Sequence, residues 1–329
     1  DRSLIDLENE KIQDLRKPKI VSQRIVAHVL RPTDHIILMS ALDEDGLLNV
    51  DTVENTIVTR DEYSIKYLLG LVNSKLVSWY CYIFIFNKAV RTMDFDGYYV
   101  GKIPVLPVNN ELVETLVTTS KRLRILVAQL AKIDIGFHHF IDDYPRIKDG
   151  QLKDYYNLTA HAEKKVAIDP LLRGVVVNIV SKFDGQWLVL FADYETETHY
   201  SANQGEILRI RITDRYVGEF LSAAINSVEK KKWSGNIFNS ILSVSIPKFK
   251  NNMTENLELV RKIGKEFSFS AEEYRKIASE IEKLERQINE AIYNFYELDA
   301  TEIALIENMF GGESVVLSLF PTLREGPSA

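Results

Sequence analysis

The stretch YLLGLVNSKLVSWY, residues 67–80, decides how the first part of the chain is interpreted. Its apolar residues recur at three- and four-residue steps, which is the spacing of an amphipathic helix. Asn73, Ser74 and Lys75 interrupt the apolar run at its centre. Further along, residues 98–108 read YYVGKIPVLPV, where two prolines interrupt a β-branched run. The sequence therefore predicts a helix over residues 61–86 with a polar notch, followed by a strand that prolines break.

Length and composition indicate a folded protein with one large hydrophobic core or two ordinary ones. The chain has 329 residues, of which 46% are hydrophobic and 26% charged, and these values are ordinary for globular domains. Its one cysteine, Cys81, excludes a disulfide within the chain and favours a reducing compartment, the cytoplasm. The apolar runs are too short or too interrupted to span a bilayer. Because the chain begins at Asp1 rather than at methionine, we expect it to be a piece of a longer protein.

Basic residues are gathered in two segments, although the formal net charge is −7. Residues 11–32 carry six lysines and arginines against one acid, and residues 229–250 carry five against one. An acidic total argues against a nucleic-acid partner, because phosphate contacts need cations. Nevertheless, we expect the two segments to converge on one face and contact DNA there, although lysine runs also occur as plain solvated surface.

The other segments alternate between strand and helix patterns. Residues 17–60 read as strands with a hairpin turn at Asp45-Gly46, and a second group of strands surrounds a tight hairpin turn at Asp184-Gly185. Residues 134–160 show no clean period and read as a connector with short helical pieces.

The C-terminal part reads as two helices. Ser270 and Glu273 have the spacing of a capping box, which predicts that a long amphipathic helix begins there. Asp299 and Glu302 repeat that spacing and predict a further helix, which the glycine pair at 311–312 should end.

Two parts of the chain share an order of elements. The segment YSIKYLLGLVNS, residues 63–74, aligns with YVGEFLSAAINS, residues 216–227, and KIPV (102–105) aligns with SIPK (245–248). We interpret the match as an internal duplication, with an accident of composition as the alternative. The predicted fold class is α/β in the loose sense (α+β), with two mixed-sheet lobes and long helices between and after them. The predicted boundaries are a first lobe over 1–108, a spacer helix and connector over 109–160, a second lobe over 161–262 and a C-terminal helical segment over 263–329.

Three consecutive parts of the chain together resemble a known family. They are the predicted helix that contains Asn73 and Ser74 (the Asn-Ser helix), the variable stretch after it, and the KIPV segment at 102–105 (the Ile-Pro segment). They are similar to the TaqI-like target-recognition (specificity) region at the C-terminus of N6-adenine DNA methyltransferases, which include fused restriction-modification enzymes of the Eco57I kind. The tail IEKLERQINEAIYNFYELDATEIALIE, residues 281–307, is similar to the ending of those enzymes. In this tail Asn289 stands where the family has an acid, Phe295 where it has a leucine and Glu297 where it has a glycine.

The resemblance implies sequence-specific recognition of double-stranded DNA that positions an adenine methyltransferase, in a type II restriction-modification setting. The catalytic half of that family carries an Asn-Pro-Pro-Tyr loop and a glycine-rich loop for S-adenosylmethionine. This chain contains no Pro-Pro pair, and its FGG at 310–312 follows a helix pattern.

We therefore expect a recognition part that has no catalytic residues, cofactor or metal of its own and is inactive alone. S-adenosylmethionine is expected for the parent enzyme. The methyltransferase domain is expected upstream in the same chain or as a separate subunit.

Candidate DNA-binding residues follow from the two basic segments and from the resemblance, which implies that bases are read between the Asn-Ser helix and the Ile-Pro segment. Cations suit phosphates and guanine, and asparagine suits adenine. The candidates are Lys17, Lys19, Arg24, Asn87, Lys88, Arg91, Lys230, Lys231, Lys232 and Lys248. The alternative is that the aromatic residues nearby belong to the core and the lysines are only solvated.

Two other functions stay open: a free-standing two-lobe DNA specificity subunit, and a protein-docking module with little DNA contact.

Enzyme sites are poorly supported. Asp214, Glu229 and Lys231 have a nuclease-like spacing but lie along one helix pattern. His138 and His139 lack the cysteine or carboxylate spacing of a zinc site. The Asn-Ser notch can also have a purely structural role, bonding locally where the helix meets its neighbour.

Overall fold

A computed structural model describes residues 9–26, 28–49, 51–89, 93–107, 110–156, 164–196, 199–229, 231–312 and 314–320. The chain divides into two compact units: unit 1 comprises residues 1–131 and 277–320, and unit 2 comprises residues 132–276 and 321–329. Each unit combines helices with antiparallel strands, so the predicted α/β class is confirmed. The boundaries drawn from the sequence at 108, 160 and 262 stay predictions.

Unit 1 begins with short strands and continues with helices. Its strands are β1 (Lys19–Gln23), β2 (Ile25–Val26), β3 (His28–Val29), β4 (His35–Ile36), β5 (Ser40–Asp43), β6 (Val53–Thr56) and β7 (Met93–Asp94). Its first helices are α1 (Glu10–Leu15), α2 (Ile65–Val72), α3 (Lys75–Tyr80), a π-helix (Cys81–Ile85), α4 (Gly97–Val100) and α5 (Asn110–Leu130).

The three-stranded sheet of unit 1 has the order β5-β1-β6, with both pairings antiparallel. A hairpin at Asp45-Gly46 was the prediction, and it is wrong, because β5 and β6 pair with β1 and not with each other. Gly46 does adopt a positive φ of 67°. It also lies so close to α1 that a Cβ there would come within 2.1 Å of the carbonyl oxygen of Arg16. Glycine at this position therefore permits a close backbone approach rather than a two-residue turn.

The helix predicted over residues 61–86 is present but broken into α2, α3 and the π-helix, with a 56° bend. Tyr67 and Leu71 from α2 are buried in the core of unit 1 with Ile36, Leu38 and Leu116. In the described part of the chain, no single helix is both long and apolar enough to cross a membrane, and only this bent pair reaches that length and apolarity.

The proline-broken strand predicted over residues 98–108 is wrong. Residues 97–100 form α4, whose N-terminus is capped by Asp96: its carboxylate accepts hydrogen bonds from the backbone N–H of Tyr98 (3.0 Å) and Tyr99 (3.4 Å). Residues 103–107 are irregular. A local cap and prolines without an N–H thus favour a helical turn and a coil over a ladder.

Unit 2 is built around a five-stranded antiparallel sheet with the order β13-β10-β11-β12-β9. The elements are α6 (Phe137–Ile141), β8 (Lys148–Gln151), α7 (Leu152–Tyr156), β9 (Lys164–Val166), β10 (Arg173–Phe183), β11 (Trp187–Thr196), β12 (His199–Arg211), α8 (Arg215–Asn226), β13 (Trp233–Asn236), α9 (Ile237–Leu242) and β14 (Ser245–Lys248). The hairpin at Asp184-Gly185 is confirmed, since it joins β10 to β11 and Gly185 has a φ of 95°. The SIPK segment is the predicted strand, β14, and it pairs with β8 from the connector.

Two helices end the described chain, α10 (Met253–Phe295) and α11 (Ala300–Phe310), followed by a 3₁₀ turn at Leu317–Leu319. The start predicted at Ser270 is wrong, because α10 is continuous through it and begins after Asn252, whose side chain accepts from the backbone N–H of Thr254 (2.9 Å). The second start is confirmed: Asp299 and Glu302 form a capping box, and Gly311 ends α11 with a φ of 63°.

The internal duplication is not confirmed. In unit 1 the strand that Asn73 of the Asn-Ser helix bonds, β5, lies at the edge of the sheet and pairs with β1 alone. In unit 2 the corresponding strand, β10, lies between β13 and β11. The two sheets thus differ in strand order, although one local arrangement at the Asn-Ser helices is common to both units.

Candidate nucleic-acid interface

Asn73 fastens the helical region of unit 1 to the sheet. Its side-chain oxygen accepts from the backbone N–H of Ser40 (2.8 Å), and its side-chain nitrogen donates to the carbonyl of the same residue (2.9 Å). The Ser74 hydroxyl donates to the carbonyl of Leu71 (2.6 Å) and accepts from the N–H of Val77 (3.2 Å), so it caps α3. The polar notch therefore has the structural role that the sequence left open.

The same pair of hydrogen bonds between an asparagine side chain and one strand residue, which we call a clamp, occurs in unit 2. The Asn226 side chain accepts from the backbone N–H of Ser181 (2.7 Å) and donates to its carbonyl (2.9 Å), and the Ser227 hydroxyl donates to the carbonyl of Ala224 (2.8 Å). One carboxamide thereby satisfies both polar groups of a strand residue, which would otherwise need a ladder partner.

The tail with family resemblance contacts the Asn-Ser helix within unit 1. The Lys75 N–H donates to the side-chain oxygen of Asn289 (3.0 Å), and the Lys75 ammonium lies 2.8 Å from Glu307. The Tyr293 hydroxyl also donates to Glu307 (2.8 Å). Burial, followed by the negative charge of Glu307, raises the pKa of Tyr293. The two motifs that carry the resemblance are therefore parts of one buried polar network.

Exposed aromatic rings lie in the stretch between this clamp and the Ile-Pro segment. The π-helix presents Phe84, whose side chain is 62% exposed, and its ring centroid lies 5.5 Å from that of Trp79 and 5.3 Å from that of Tyr80. On α4, Tyr98 is 67% exposed. The Lys102 ammonium stands 3.9 Å from the centroid of its ring. Aromatic faces and cations that are accessible together are suited to contact bases and phosphates.

The two halves of this stretch are in contact, because the rings of Phe86 and Tyr99 have centroids 5.1 Å apart. We call residues 79–102 the aromatic segment. Two predicted site residues, Asn87 and Lys88, are exposed within it and both have a positive φ, 49° and 56°. The N–H of Lys88 donates to the carbonyl of Tyr82 (2.9 Å), so the loop folds back on the π-helix and directs these residues outward. Arg91 lies outside the described residues.

Lys19 is not available for a phosphate contact, which corrects its place among the candidates. Its side chain is fully buried, and its ammonium donates to Asp43 (2.5 Å) and to the carbonyls of Leu15 (2.6 Å) and Leu47 (2.7 Å). The hydrogen bond from Lys19 holds the pKa of Asp43 below its usual value. All three ammonium protons therefore have partners inside unit 1.

Arg24 and Lys17 are both paired with acids. The Arg24 guanidinium lies 2.9 Å from Asp94 and 2.9 Å from Asp51, and the bond to Asp94 is the main cause of its raised pKa. Lys17 is exposed and lies 2.6 Å from Asp14. Of these two, Lys17 is the one that could turn to a phosphate by giving up only an exposed ion pair.

The candidates of unit 2 have mixed surroundings. Lys231 and Lys232 are exposed just before β13, Lys248 is half-buried on β14, and Lys230 lies outside the described residues. The two basic segments fall in different units. Their convergence on one face stays a prediction.

Asp214, the first member of the nuclease-like triplet, has a structural role. The carboxylate of Asp214 caps α8 by accepting from the N–H of Tyr216 (3.0 Å) and Val217 (3.2 Å), and it also pairs with Arg261. Lys231 follows the end of α8. Within the described ranges, no three His, Cys, Asp or Glu side chains gather in a way that could hold a metal ion.

Sequence reasoning missed Lys102 and the exposure of Phe84. The four-residue spacing of Tyr98 and Lys102 would have been a signal for the first only if residues 97–102 had been read as a helical turn and not as a strand. No comparable signal exists for Phe84, since its neighbours Tyr82 and Cys81 are buried and only the wider π-helical turn separates it from them.

The comparison with protein families gives a match in the N-terminal part of the chain. Residues 2–105 match the family model of the TaqI-like C-terminal specificity domain, whereas no curated protein and no solved structure matches the chain significantly. The matched residues include the Asn73 clamp and the aromatic segment, and they do not include unit 2. The match confirms the predicted resemblance to the TaqI-like C-terminal specificity domain over residues 2–105.

Proposed function

We propose that this chain recognises a specific sequence in double-stranded DNA and thereby positions an N6-adenine DNA methyltransferase whose catalytic part is not within it. The observation that carries the proposal is the aromatic segment. It lies inside the residues that match a specificity domain, and it presents rings, an asparagine and lysines outward. DNA recognition needs these two kinds of contact, cations for phosphates and side chains for base edges.

Within this proposal, each exposed side chain has a role that its chemistry suits. Lys88 and Lys102 contact phosphates and so provide affinity that does not depend on sequence. Asn87 reads a base edge, with adenine as the preferred partner, because a carboxamide can donate and accept at the same time. Phe84 supplies an apolar contact of the kind that thymine methyl groups receive.

The methyl donor, S-adenosylmethionine, belongs to the methyltransferase part in this proposal. The glycine pair at 311–312 ends α11 and does not open a helix. It therefore does not fit a glycine-rich loop at a helix N-terminus, where such a cofactor would be held. We place the protein in the cytoplasm as part of a restriction-modification system, and the buried free thiol of Cys81 is compatible with a reducing compartment.

The experiment is a selection of duplexes from a randomised library by the whole chain, followed by titrations with the selected and a scrambled duplex at several salt concentrations. Asn87→Ala should reduce discrimination at one base pair by about 1–3 kcal/mol. Lys88→Ala should weaken binding to both duplexes alike and flatten the salt slope by about 0.9. Lys121→Ala, an exposed lysine on α5, is the matched control and should change neither.

Two results would contradict the proposal. One is a selection that yields no preferred sequence. The other is a salt slope that is the same for the Lys88 and Lys121 variants, which would favour a protein-docking module over DNA recognition.

A further inference from the structure

The two faces of the five-stranded sheet in unit 2 differ in what they contact. One face packs against α8 and α9 and supplies core residues such as Val176, Leu188 and Leu190. Side chains alternate along a strand, so the residues between these point to the other side. On β11 these are Trp187, Val189 and Phe191, which lie outside that core cluster.

The register of the strands aligns cations on this second face. Val189 is opposite Lys182 on β10 and opposite Arg209 on β12, and Arg209 is in turn opposite Lys165 on β9. Directly opposed residues of antiparallel strands have their side chains on the same face. Three cations therefore form a row across four strands, with neighbouring strands about 4.8 Å apart.

Aromatic rings lie beside this row. Trp187 is opposite Arg211, and the Lys165 ammonium is 5.3 Å from the centroid of its ring. Phe191 lies two positions beyond Val189 on β11. Both aromatic side chains are partly exposed. We call Lys165, Lys182, Trp187, Arg209 and Arg211 the basic sheet face.

Acids are concentrated at the opposite end of the same strands. Asp193 and Glu195 follow Phe191 along β11, and Asp193 accepts from the Asn178 side chain (3.1 Å). Glu206 is opposite Phe191 and binds the Arg209 guanidinium through both oxygens, at 2.6 Å each. In the hairpin, the Asp184 carboxylate accepts from the N–H of Gln186 and Trp187, so the turn itself uses it. The half of the face nearest this hairpin therefore carries four cations (Lys165, Lys182, Arg209 and Arg211) against Glu206 and Asp184, which leaves it net positive.

We infer that the basic sheet face binds single-stranded nucleic acid. Because Glu206 already binds Arg209, Lys165 and Lys182 are the members of the row that would contact the sugar–phosphate backbone. A ring on the same surface can stack on a base. A base offers its π-face only when it is unstacked, so the partner is a single strand and not a duplex. The surface lies in unit 2, outside residues 2–105, and so the inference goes beyond the proposed function.

The experiment uses the whole chain and a fluorescent oligodeoxythymidylate of about 12 nucleotides, within the range of single-strand site sizes. Binding is followed by fluorescence anisotropy over a series of salt concentrations. The double variant Lys165→Glu/Lys182→Glu should bind at least about ten-fold more weakly at low salt, and the salt slope should fall by about 1.4, or about 0.7 for each lost phosphate contact. Lys265→Glu/Lys276→Glu, two exposed lysines of α10 in the same unit, makes the same charge change and should bind like the original chain.

A second pair of variants tests stacking. Trp187→Ala should weaken binding by about ten-fold, whereas Trp187→Phe should retain most of it, because phenylalanine keeps a π-face. Thermal unfolding of each variant, followed by circular dichroism, shows whether the sheet is intact. If Trp187→Ala does not fold, Trp187→Phe and the lysine pair still decide the matter.

The inference is overturned if the Lys165/Lys182 and Lys265/Lys276 variants bind the oligonucleotide equally. It is also overturned if Lys88→Ala in unit 1 removes that binding and the sheet variants do not. Duplex binding, measured in parallel, tests the proposed function separately, since sheet variants should keep any sequence preference. A chain that prefers no duplex but loses oligonucleotide binding in the sheet variants would contradict the proposed function and support this inference.

Discussion

Lys19 and Asp43 form a buried ion pair in unit 1, so a lysine from a basic segment has a structural role here and not a surface one. The Lys19 ammonium has three acceptors and no solvent contact. Lys17, two residues earlier, is exposed and paired only with Asp14. Removing one partner of a buried pair leaves a charge without compensation, whereas an exposed pair contributes little.

We therefore predict that Asp43→Ala lowers the free energy of unfolding by about 3–5 kcal/mol. Asp14→Ala, which removes the exposed partner of Lys17, should change it by less than about 0.5 kcal/mol. Chemical denaturation of the three proteins measures both effects. Equal and small changes would mean that Lys19 is solvated, and it would return to the set of candidate phosphate contacts.

The same pair predicts how stability depends on pH. The hydrogen bond from Lys19 lowers the folded-state pKa of Asp43. A carboxylate with a lowered pKa contributes stability that is fully present above its unfolded pKa, about 3.9, and is lost as pH falls through its folded pKa. The difference in unfolding free energy between the original chain and Asp43→Asn should therefore be constant near neutral pH and shrink below about pH 4. Denaturant titrations over this range measure it, and a difference that persists unchanged into acid would refute the assignment.

The composition of the basic segment could not indicate that Lys19 is buried and Lys17 exposed. Both belong to the same basic run, and the partner that buries Lys19 is 24 positions away. Arg24 is a similar case, because Asp94 is 70 positions away. By contrast, Asn87 and Lys88, which the resemblance places in the stretch after the Asn-Ser helix, are exposed, as loop residues generally are.

Among the elements, the end of α10 shows a local conflict between residue type and backbone. The N–H of Leu298 donates to the carbonyl of Tyr293 (3.0 Å) and that of Glu297 to Asn294 (3.1 Å), which is the bonding of a Schellman motif. Glu297 has a φ of 54°. A left-handed residue at this position is usually glycine, and glycine is what the resemblance places there.

Glu297→Gly should therefore raise the free energy of unfolding, by about 0.5–1 kcal/mol, because it relieves a conformation that side chains disfavour. The matched control is Glu290→Gly, an exposed position within the same helix, which removes the same charge. It should lower the free energy of unfolding by a similar amount, since glycine destabilises a helix interior. Denaturation curves for both variants check the prediction, and changes of the same sign would contradict it.

Helix ends illustrate what could be predicted at this scale. Asp299 and Glu302 form the capping box that their spacing indicates, because nothing N-terminal to them continues the helix. Ser270 and Glu273 have the same spacing, but the apolar stripe continues on both sides of them and α10 runs through. A cap motif thus marks a helix start only where the burial pattern also stops, and tertiary packing decides the second condition.

At the scale of the whole molecule, unit 1 is discontinuous in sequence. Residues 277–320 contribute Ile292, Ile306 and Phe310 to the same core cluster as Tyr67 and Leu71. The sequence indicated this association only through the family resemblance of the two motifs. Periodicity along the chain could not reveal it, because distant helices with apolar stripes can pair in many ways.

The discontinuity leads to a prediction about the matched residues, which end at 105 and therefore lack this C-terminal contribution. Each fully buried side chain of that size stabilises a fold by about 1.5–3 kcal/mol. Three such side chains, together with the Lys75 contacts to Asn289 and Glu307, amount to a large share of an ordinary domain stability of about 5–15 kcal/mol. A fragment of residues 1–131 should therefore show no cooperative unfolding and no sequence preference for duplex DNA.

The matched control for this prediction is a polypeptide in which residues 277–320 follow residue 131 through a glycine-serine linker. It should unfold cooperatively and recover the duplex preference, because it restores both the apolar contacts and the Lys75 network. Replacing Ile292 with Asp in the linked polypeptide should abolish the recovery, since a charge at that buried position cannot be hydrated. If residues 1–131 alone unfold at the same denaturant midpoint as the linked polypeptide, the stability of unit 1 does not depend on residues 277–320, and the prediction is wrong.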